Sequence, residues 1–131
     1  MDGERLTEDE YTVGDTELVI TSVPDRFSLR TCVTISPEEN TSLEGFYRSQ
    51  SAYCTQCEAE GFRKITYFPD RPDVLAVYTV TLEADRAECP VLLSNGNKVS
   101  EEDLENGRHR VVCGMTPFPS LRICSPWSRE T

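Results

Sequence analysis

Alternation of apolar and polar residues is clearest between residues 26 and 35 of the chain. On one side of an extended backbone lie Phe27, Leu29, Thr31, Val33 and Ile35. The other side carries Ser28, Arg30, Cys32 and Thr34. A period of two places one face of a strand against a core. The segment is therefore predicted to be a β-strand, and its pattern is the strongest strand signal in the sequence.

Weaker patterns predict further strands, separated by turns. They cover residues 16–20, 43–48, 77–84, 90–93 and 108–113. Asn95-Gly96 and Asn106-Gly107 supply the positive φ angles of tight turns. The first is expected to join residues 90–93 to a return strand that begins at Lys98. Residues 70–76 are predicted to form one helical turn, because Pro72 would lie near its first position.

Composition supports an all-β fold. The 131 residues include eight prolines and seven glycines and show no long apolar helical period, which favours many short strands. We expect an antiparallel β-sandwich or a saddle-shaped sheet. The length suits a single domain, or a piece of one, with its own core. Beyond Pro119 only residues 121–124 are suited to pairing, and residues 125–131 are predicted to be a loose end.

The net charge of −10 disfavours binding to nucleic acids or anionic lipid surfaces, since both repel an acidic protein. The first residues lack the basic start and apolar run of a secretion signal, and no stretch has about eighteen apolar residues. The chain is therefore predicted to be soluble and cytoplasmic.

Six cysteines are present, and without a secretion signal they are expected to be reduced thiols that act as small apolar side chains. Cys54 and Cys57 have the spacing of half a zinc ribbon, but a second close pair of ligands is lacking. A thioredoxin-like role needs a βαβ context that the flanking segments do not provide. His109 is the sole histidine, and it is predicted to be a surface or structural residue.

The candidate site lies in the polar stretch from Tyr53 to Ala76. Gln56, Glu58 and Glu60 would share one face of an extended backbone. The Glu58 carboxylate and the Gln56 amide oxygen are acceptors suited to an ammonium group. The alternative is that Glu58 and Glu60 form ion pairs with the basic residues of the loop. The residues alone favour that alternative, because surface ion pairs are common. The basic residues in question are Arg63, Lys64 and Arg71.

A family resemblance changes this balance. CTQCEAEGFRKITYFPDRPDVLA, from Cys54 to Ala76, closely resembles a segment in the N-terminal domain of bacterial-type aminopeptidase N (alanyl aminopeptidase), a family of zinc metallopeptidases. Other matching segments follow in the family's order: PDRFSL, ISPEENTSLEGFYRS, PVLLSNGNKV, DLENGRH and PFP. The resemblance covers about residues 18–119, and matches of this length are highly specific.

The resemblance implies a β-rich, saddle-shaped domain that rests on a thermolysin-like catalytic domain. It also implies that Gln56 and Glu58 contact the free α-amino group of a peptide substrate. The zinc cofactor of the family enzyme is held by an HExxH motif and a downstream glutamate, and a Gly-Ala-Met-Glu-Asn motif supplies a second amine-binding glutamate. None of these motifs occurs in this chain, so no catalytic residue, metal ligand or cofactor is assigned to it.

The resemblance also implies that the family domain has strands before the equivalent of Met1 and after Pro119, where this sequence diverges. Residues 1–131 are therefore expected to form one partial domain with a divergent tail at residues 120–131. The predicted function is recognition of the peptide N-terminus in a metalloaminopeptidase, without catalysis by this chain alone. The alternative function is a non-enzymatic module that binds proteins through open sheet edges.

Overall fold

The computed structural model describes residues 3–115, which form antiparallel strands and two single turns of 3₁₀ helix. The strands are β1 (Tyr11–Val13), β2 (Leu18–Ile20), β3 (Gly45–Ser49), β4 (Ala52–Gln56), β5 (Tyr78–Asp85), β6 (Asn97–Asp103) and β7 (Arg108–Met115). The 3₁₀ turns are Phe62–Lys64 and Glu105–Gly107. The prediction of an all-β antiparallel fold is confirmed. The chain divides into two compact units after Thr34.

The first unit contains the β1–β2 hairpin, in which Tyr11 lies opposite Ile20 and Val13 opposite Leu18. The Gly14 N–H donates to the Glu17 carbonyl at 2.8 Å and closes the turn. The strand predicted at residues 16–20 is thus present, but it begins at Leu18 because residues before it belong to the turn.

The strongest sequence prediction was wrong, since no strand forms between residues 26 and 35. The apolar side chains of this segment are exposed, for example 43% for both Phe27 and Leu29. Alternation states which side of a segment can be buried, but a strand also needs a neighbour for its backbone groups. In the described part of the chain, no strand pairs with this segment.

The second unit begins with the β3–β4 hairpin. Ser49 lies opposite Ala52, which leaves a two-residue turn, and Gln50 there has a φ of 53°. A positive φ in a two-residue hairpin turn matches the right-handed twist of the strands. The strand predicted at residues 43–48 is confirmed from Gly45 onward, whereas Leu43 is exposed and has a φ of 58°.

Residues before this hairpin are fastened to it by polar contacts. The Asn40 side-chain amide donates to the carbonyls of Glu44 at 2.8 Å and Phe46 at 2.9 Å. The Tyr53 hydroxyl donates to the Glu38 carboxylate at 2.5 Å. This hydrogen bond lowers the pKa of Glu38 and raises the pKa of Tyr53. The hairpin that leads to the candidate site therefore has polar contacts to the preceding residues from both of its strands.

The second sheet of this unit has the order β5-β7-β6. Along β5, half-buried Tyr78, Val80, Leu82 and Ala84 alternate with exposed residues, as the sequence pattern predicted. The core beneath this sheet consists of Leu92, Val111 and Cys113, with Leu82, Ala84 and Cys89 packed against it. The predicted strand at residues 108–113 is confirmed as β7. The Asn106-Gly107 turn is also confirmed, with φ angles of 60° and 74°.

Two predicted elements are absent from this unit. Residues 90–93 form no strand, and Leu92 among them is a buried residue of the core. The Asn95-Gly96 turn therefore leads into β6, whose partner is β7 instead of residues 90–93. Residues 70–76 form no helical turn; a single bond from the Val74 N–H to the Arg71 carbonyl, at 3.1 Å, closes a simple turn there.

The outer face of the same sheet carries a ladder of charges. Arg110 in the central strand contacts Glu83 of β5 at 2.6 Å and Glu102 of β6 at 2.8 Å. Opposite charges on neighbouring strands stabilise a sheet modestly.

Residues 121–131, which were predicted to include a short pairing segment and a loose end, lie outside the described residues. Within residues 3–115, no helix has the length and hydrophobicity to cross a membrane.

Candidate functional site

The candidate site is built at the end of β4. Gln56 is the last residue of this strand and lies opposite Gly45 of β3. Cys57 is buried directly after it, and Glu58 follows as an exposed residue. The polar stretch from Tyr53 to Ala76 therefore begins within β4 and leaves this strand after Gln56. The signal was present in the sequence, since Tyr53 and Thr55 are residue types that strands favour.

A tight turn holds the backbone that carries Glu58. The Gly61 N–H donates to the Cys57 carbonyl at 3.0 Å. A Cβ on Gly61 would lie 2.8 Å from the Gln56 carbonyl oxygen and 2.9 Å from the Cys57 Cα, so only glycine fits without a backbone shift. The Glu58–Ala59 peptide bond within this turn is cis.

Gln56 and Glu58 lie side by side. The Gln56 Nε2 atom donates to the Glu58 carbonyl oxygen at 3.5 Å, a long hydrogen bond. This orientation makes Oε1 the part of the amide that can accept from an ammonium group. The Gln56 side-chain amide thus lies next to the backbone of Glu58, which is an exposed residue. The role of the two side chains as acceptors for an ammonium group stays a prediction.

Each of the three basic residues of the loop contacts a carboxylate. Arg63 pairs with Glu60 at 3.1 Å. Lys64 pairs with Glu44 at 2.5 Å, and Arg71 pairs with Asp73. The ion-pair alternative considered from the sequence is therefore observed for Glu60. Exposed pairs of this kind stabilise a fold by well under about 1 kcal/mol each.

Asp70 is a residue that sequence reasoning missed. Its carboxylate accepts from the Arg63 backbone N–H at 2.9 Å and from Arg63 Nε at 3.3 Å. In return, Arg63 Nη2 donates to the Asp70 carbonyl at 2.6 Å. We call these contacts the Arg63–Asp70 clamp. The only signal in the sequence was an acid between two prolines close to basic residues, a pattern too common to single out Asp70.

His109 is buried, and Cys89 packs against the core of the second unit. His109 is fully buried, and its Nε2 lies 2.7 Å from the Cys89 carbonyl. A carbonyl only accepts, so Nε2 carries the proton and the imidazole has a structural role, as one of the two predicted alternatives stated. None of the five described cysteines is in a disulfide. Burial is the main cause that raises the pKa of Cys89, which reduces its thiolate fraction.

A metal site in a protein needs several His, Cys, Asp or Glu side chains that converge on one point. Within residues 3–115 no three His, Cys, Asp or Glu side chains are grouped so that they could hold a metal ion. Cys54 lies in β4, and Cys57 is buried directly after the end of this strand. His109 is also buried. The described residues therefore do not fit the zinc site of a metallopeptidase.

Comparison with known proteins agrees with the fold. The family model described as Peptidase M1 N-terminal domain matches residues 7–117, most of the chain. The chain belongs to this family. The match to the family model begins at residue 7 of this chain, earlier than residue 18, where the resemblance seen in the sequence begins.

The relatives of this chain are much longer proteins. Aminopeptidase N of Escherichia coli (strain K12) is 58% identical over 102 residues, which are 78% of this chain and 12% of the relative. Aminopeptidase N of Caulobacter vibrioides is 54% identical over 119 residues, or 91% of this chain and 14% of the relative. The chain thus spans only about an eighth of the length of these relatives.

A solved structure shows the same fold. Legionella pneumophila aminopeptidase A in complex with aspartic acid is 35% identical, with a TM-score of 0.78. The alignment covers 91% of this chain and 14% of that chain. The M1 N-terminal domain fold of the present chain is therefore supported by sequence and by structure.

Proposed function

We propose that this chain is the part of a zinc metalloaminopeptidase that recognises the free α-amino group of a peptide, through Gln56 and Glu58. The observation that carries the proposal is the exposed Glu58 directly after β4, with the Gln56 side chain hydrogen-bonded to the Glu58 backbone. Membership in the M1 N-terminal domain family supports the connection with aminopeptidases.

The chemistry of a peptide N-terminus fits these two side chains. An ammonium group has three donors and no acceptor, so it requires oxygen atoms around it. The Glu58 carboxylate offers a charge-assisted hydrogen bond, and Gln56 Oε1 offers a neutral one. A ligand whose amine is acetylated has neither the charge nor the three donors. We therefore expect this site to prefer a free amine.

Catalysis would come from a different part of the enzyme. Zinc lowers the pKa of bound water and polarises the carbonyl of the scissile bond. An HExxH site needs two histidines, and this chain has one. We propose that a catalytic domain outside this chain holds the zinc. In that arrangement Gln56 and Glu58 fix the peptide end, so that cleavage removes the N-terminal residue.

Binding of alanine amide to two matched variants tests the proposal. Glu58→Gln removes the proposed acceptor charge, whereas Glu60→Gln removes the neighbouring charge that pairs with Arg63. We expect Glu58→Gln to weaken alanine amide binding at least about threefold, consistent with the loss of one exposed charged contact. Glu60→Gln should have a smaller effect. Equal losses in the two variants would contradict the assignment of Glu58.

A second candidate function is a protein-interaction module. It is favoured by the outer edges of β5 and β6, each of which pairs only with β7 in the described part of the chain. Open edges can accept a strand from another protein. Light scattering after size-exclusion chromatography, combined with a pull-down, tests this candidate. A monomer that captures no partner would contradict it.

A further inference from the structure

We propose that Asp70 is a positioning residue for the amine site, acting through the Arg63–Asp70 clamp. This inference rests on the proposed function of Glu58. Asp70 itself is not placed in contact with the peptide. Its role would be to hold the turn of residues 57–61 in the orientation that presents the Glu58 carboxylate.

A series of contacts connects Asp70 to this turn. The Asp70 carboxylate holds the backbone N–H and the Nε of Arg63, in the 3₁₀ turn that follows Gly61. The Arg63 guanidinium also contacts Glu60 at 3.1 Å. Gly61 in turn bonds back to the Cys57 carbonyl at 3.0 Å. Each contact lies within the segment that begins at the end of β4, so a shift of Arg63 would reach Glu58 through the backbone.

The opposite side of the 3₁₀ turn rests on β3. A Cβ on Gly45 would lie 2.9 Å from the Lys64 Cβ, which shows how closely the turn approaches the strand. Lys64 Nζ also contacts the Glu44 carboxylate at 2.5 Å. The turn is therefore held by β3 on one side and by Asp70 on the other. A site needs such supporting contacts to keep its side chains in the productive geometry.

Asp70 and Asp73, two acidic residues of this loop, differ in burial. The Asp70 side chain is 10% exposed, whereas the Asp73 side chain is 63% exposed. Both carboxylates contact an arginine, but only Asp70 also accepts from a backbone N–H of the 3₁₀ turn. Replacement of a largely buried carboxylate by a carboxamide removes the charge and turns one acceptor oxygen into a donor group that faces the Arg63 donors, while loss of an exposed ion pair has little effect. Asp73 is thus a matched control for Asp70.

The experiment compares Asp70→Asn with Asp73→Asn in the full 131-residue chain. Each variant loses one negative charge from the same loop. Alanine amide and N-acetylalanine amide are titrated against each protein, and NMR shifts of the Glu58 and Gln56 amides report binding. Amide hydrogen exchange along β7 reports whether the fold is retained. We expect Asp70→Asn to reduce the preference for the free amine about fivefold or more, with unchanged β7 protection, and Asp73→Asn to behave like wild type.

The outcomes separate the two proposals. A wild-type chain that binds both amides equally would overturn the proposed function and, with it, the role of Asp70. A wild-type chain that prefers the free amine, together with an Asp70→Asn variant that keeps this preference, would overturn the positioning role alone. If Asp70→Asn loses the protection of β7 against amide hydrogen exchange, the Arg63→Lys variant tests the positioning role instead. It removes the guanidinium contacts but keeps the backbone N–H that Asp70 accepts, and an unchanged preference in that variant would also overturn the inference.

Discussion

At the scale of single residues, Gly61 determines the geometry of the candidate site. Its backbone N–H closes the turn on Cys57, and the space for a Cβ is already occupied by main-chain atoms of Gln56 and Cys57. Main-chain atoms cannot rotate away as a flexible side chain can. The requirement for glycine at this position is therefore steric, and it directly precedes the 3₁₀ turn that supports the site.

We predict that Gly61→Ala destabilises the fold by about 1–3 kcal/mol, because the added Cβ forces a backbone shift. Gly14→Ala is the control, since a Cβ there would lie at an ordinary 3.6 Å from atoms of Glu17. Urea unfolding of the three proteins measures the difference. The steric explanation fails if Gly61→Ala is as stable as Gly14→Ala.

The Tyr53–Glu38 hydrogen bond makes the stability of the β3–β4 region depend on pH. It lowers the pKa of Glu38, so its contribution is present above the unfolded pKa of about 4.3 and is lost as pH falls through the folded value. It also raises the pKa of Tyr53. That contribution is present below the unfolded pKa of about 10 and is lost as pH rises through the folded value.

We predict that Tyr53→Phe is less stable than wild type at about pH 7 and that the difference shrinks at about pH 3, which lies below the unfolded pKa of Glu38 of about 4.3. Tyr67→Phe, at a more exposed tyrosine of the same unit, controls for the loss of a hydroxyl. Denaturant unfolding at both pH values measures the effect. A difference that stays constant between them would rule out the Glu38 carboxylate as its cause.

At the scale of elements, the three-stranded sheet depends on its central strand. Val111 in β7 is 2% exposed and belongs to the core, whereas Val99 in β6 is 70% exposed. We predict that Val111→Ala lowers the free energy of unfolding by about 1–3 kcal/mol and that Val99→Ala changes it by less than about 0.5 kcal/mol. Thermal or urea unfolding checks this, and similar losses in both variants would contradict the assigned core.

The sequence pattern predicted correctly the strands whose apolar face packs against the core. It predicted a strand wrongly where the segment has no neighbouring strand to pair with. In β5, Leu82 and Ala84 pack against the core that β7 helps to form, so alternation and pairing agree. The segment with Phe27 and Leu29 has a clearer alternation but no described strand beside it. Pairing depends on contacts between distant parts of the chain, and a local pattern contains no information on them.

The candidate site was predictable in part. The residue types of Gln56 and Glu58 indicated ammonium binding, but the residues alone favoured ion pairs, and the family resemblance decided between the two. The Arg63–Asp70 clamp could not be predicted, because it depends on how the chain turns between Phe62 and Asp70. Hydrogen bonds to backbone N–H groups depend on the final backbone path rather than on spacing.

At the scale of the whole molecule, the chain carries the proposed recognition groups, and its described part contains no cluster of side chains that could hold a metal ion. We predict that the pure chain, supplied with zinc, does not release the dye from an aminoacyl dye substrate. The physical reason is that the sequence has one histidine and that this residue is fully buried, with its Nε2 hydrogen-bonded to the Cys89 backbone carbonyl. Zinc-dependent release that survives repurification and is abolished by a chelator would contradict this expectation.

The central claim, that Glu58 and Gln56 receive a positively charged peptide end, is tested most directly by NMR. The side-chain carboxyl carbon of Glu58 and the side-chain amide of Gln56 are followed during titration with alanine amide and, separately, with N-acetylalanine amide. We predict saturable shifts at both groups with the free amine and much smaller shifts with the acetylated ligand. Equal responses to the two ligands, or a free-amine response confined to residues away from Gln56 and Glu58, would contradict the claim.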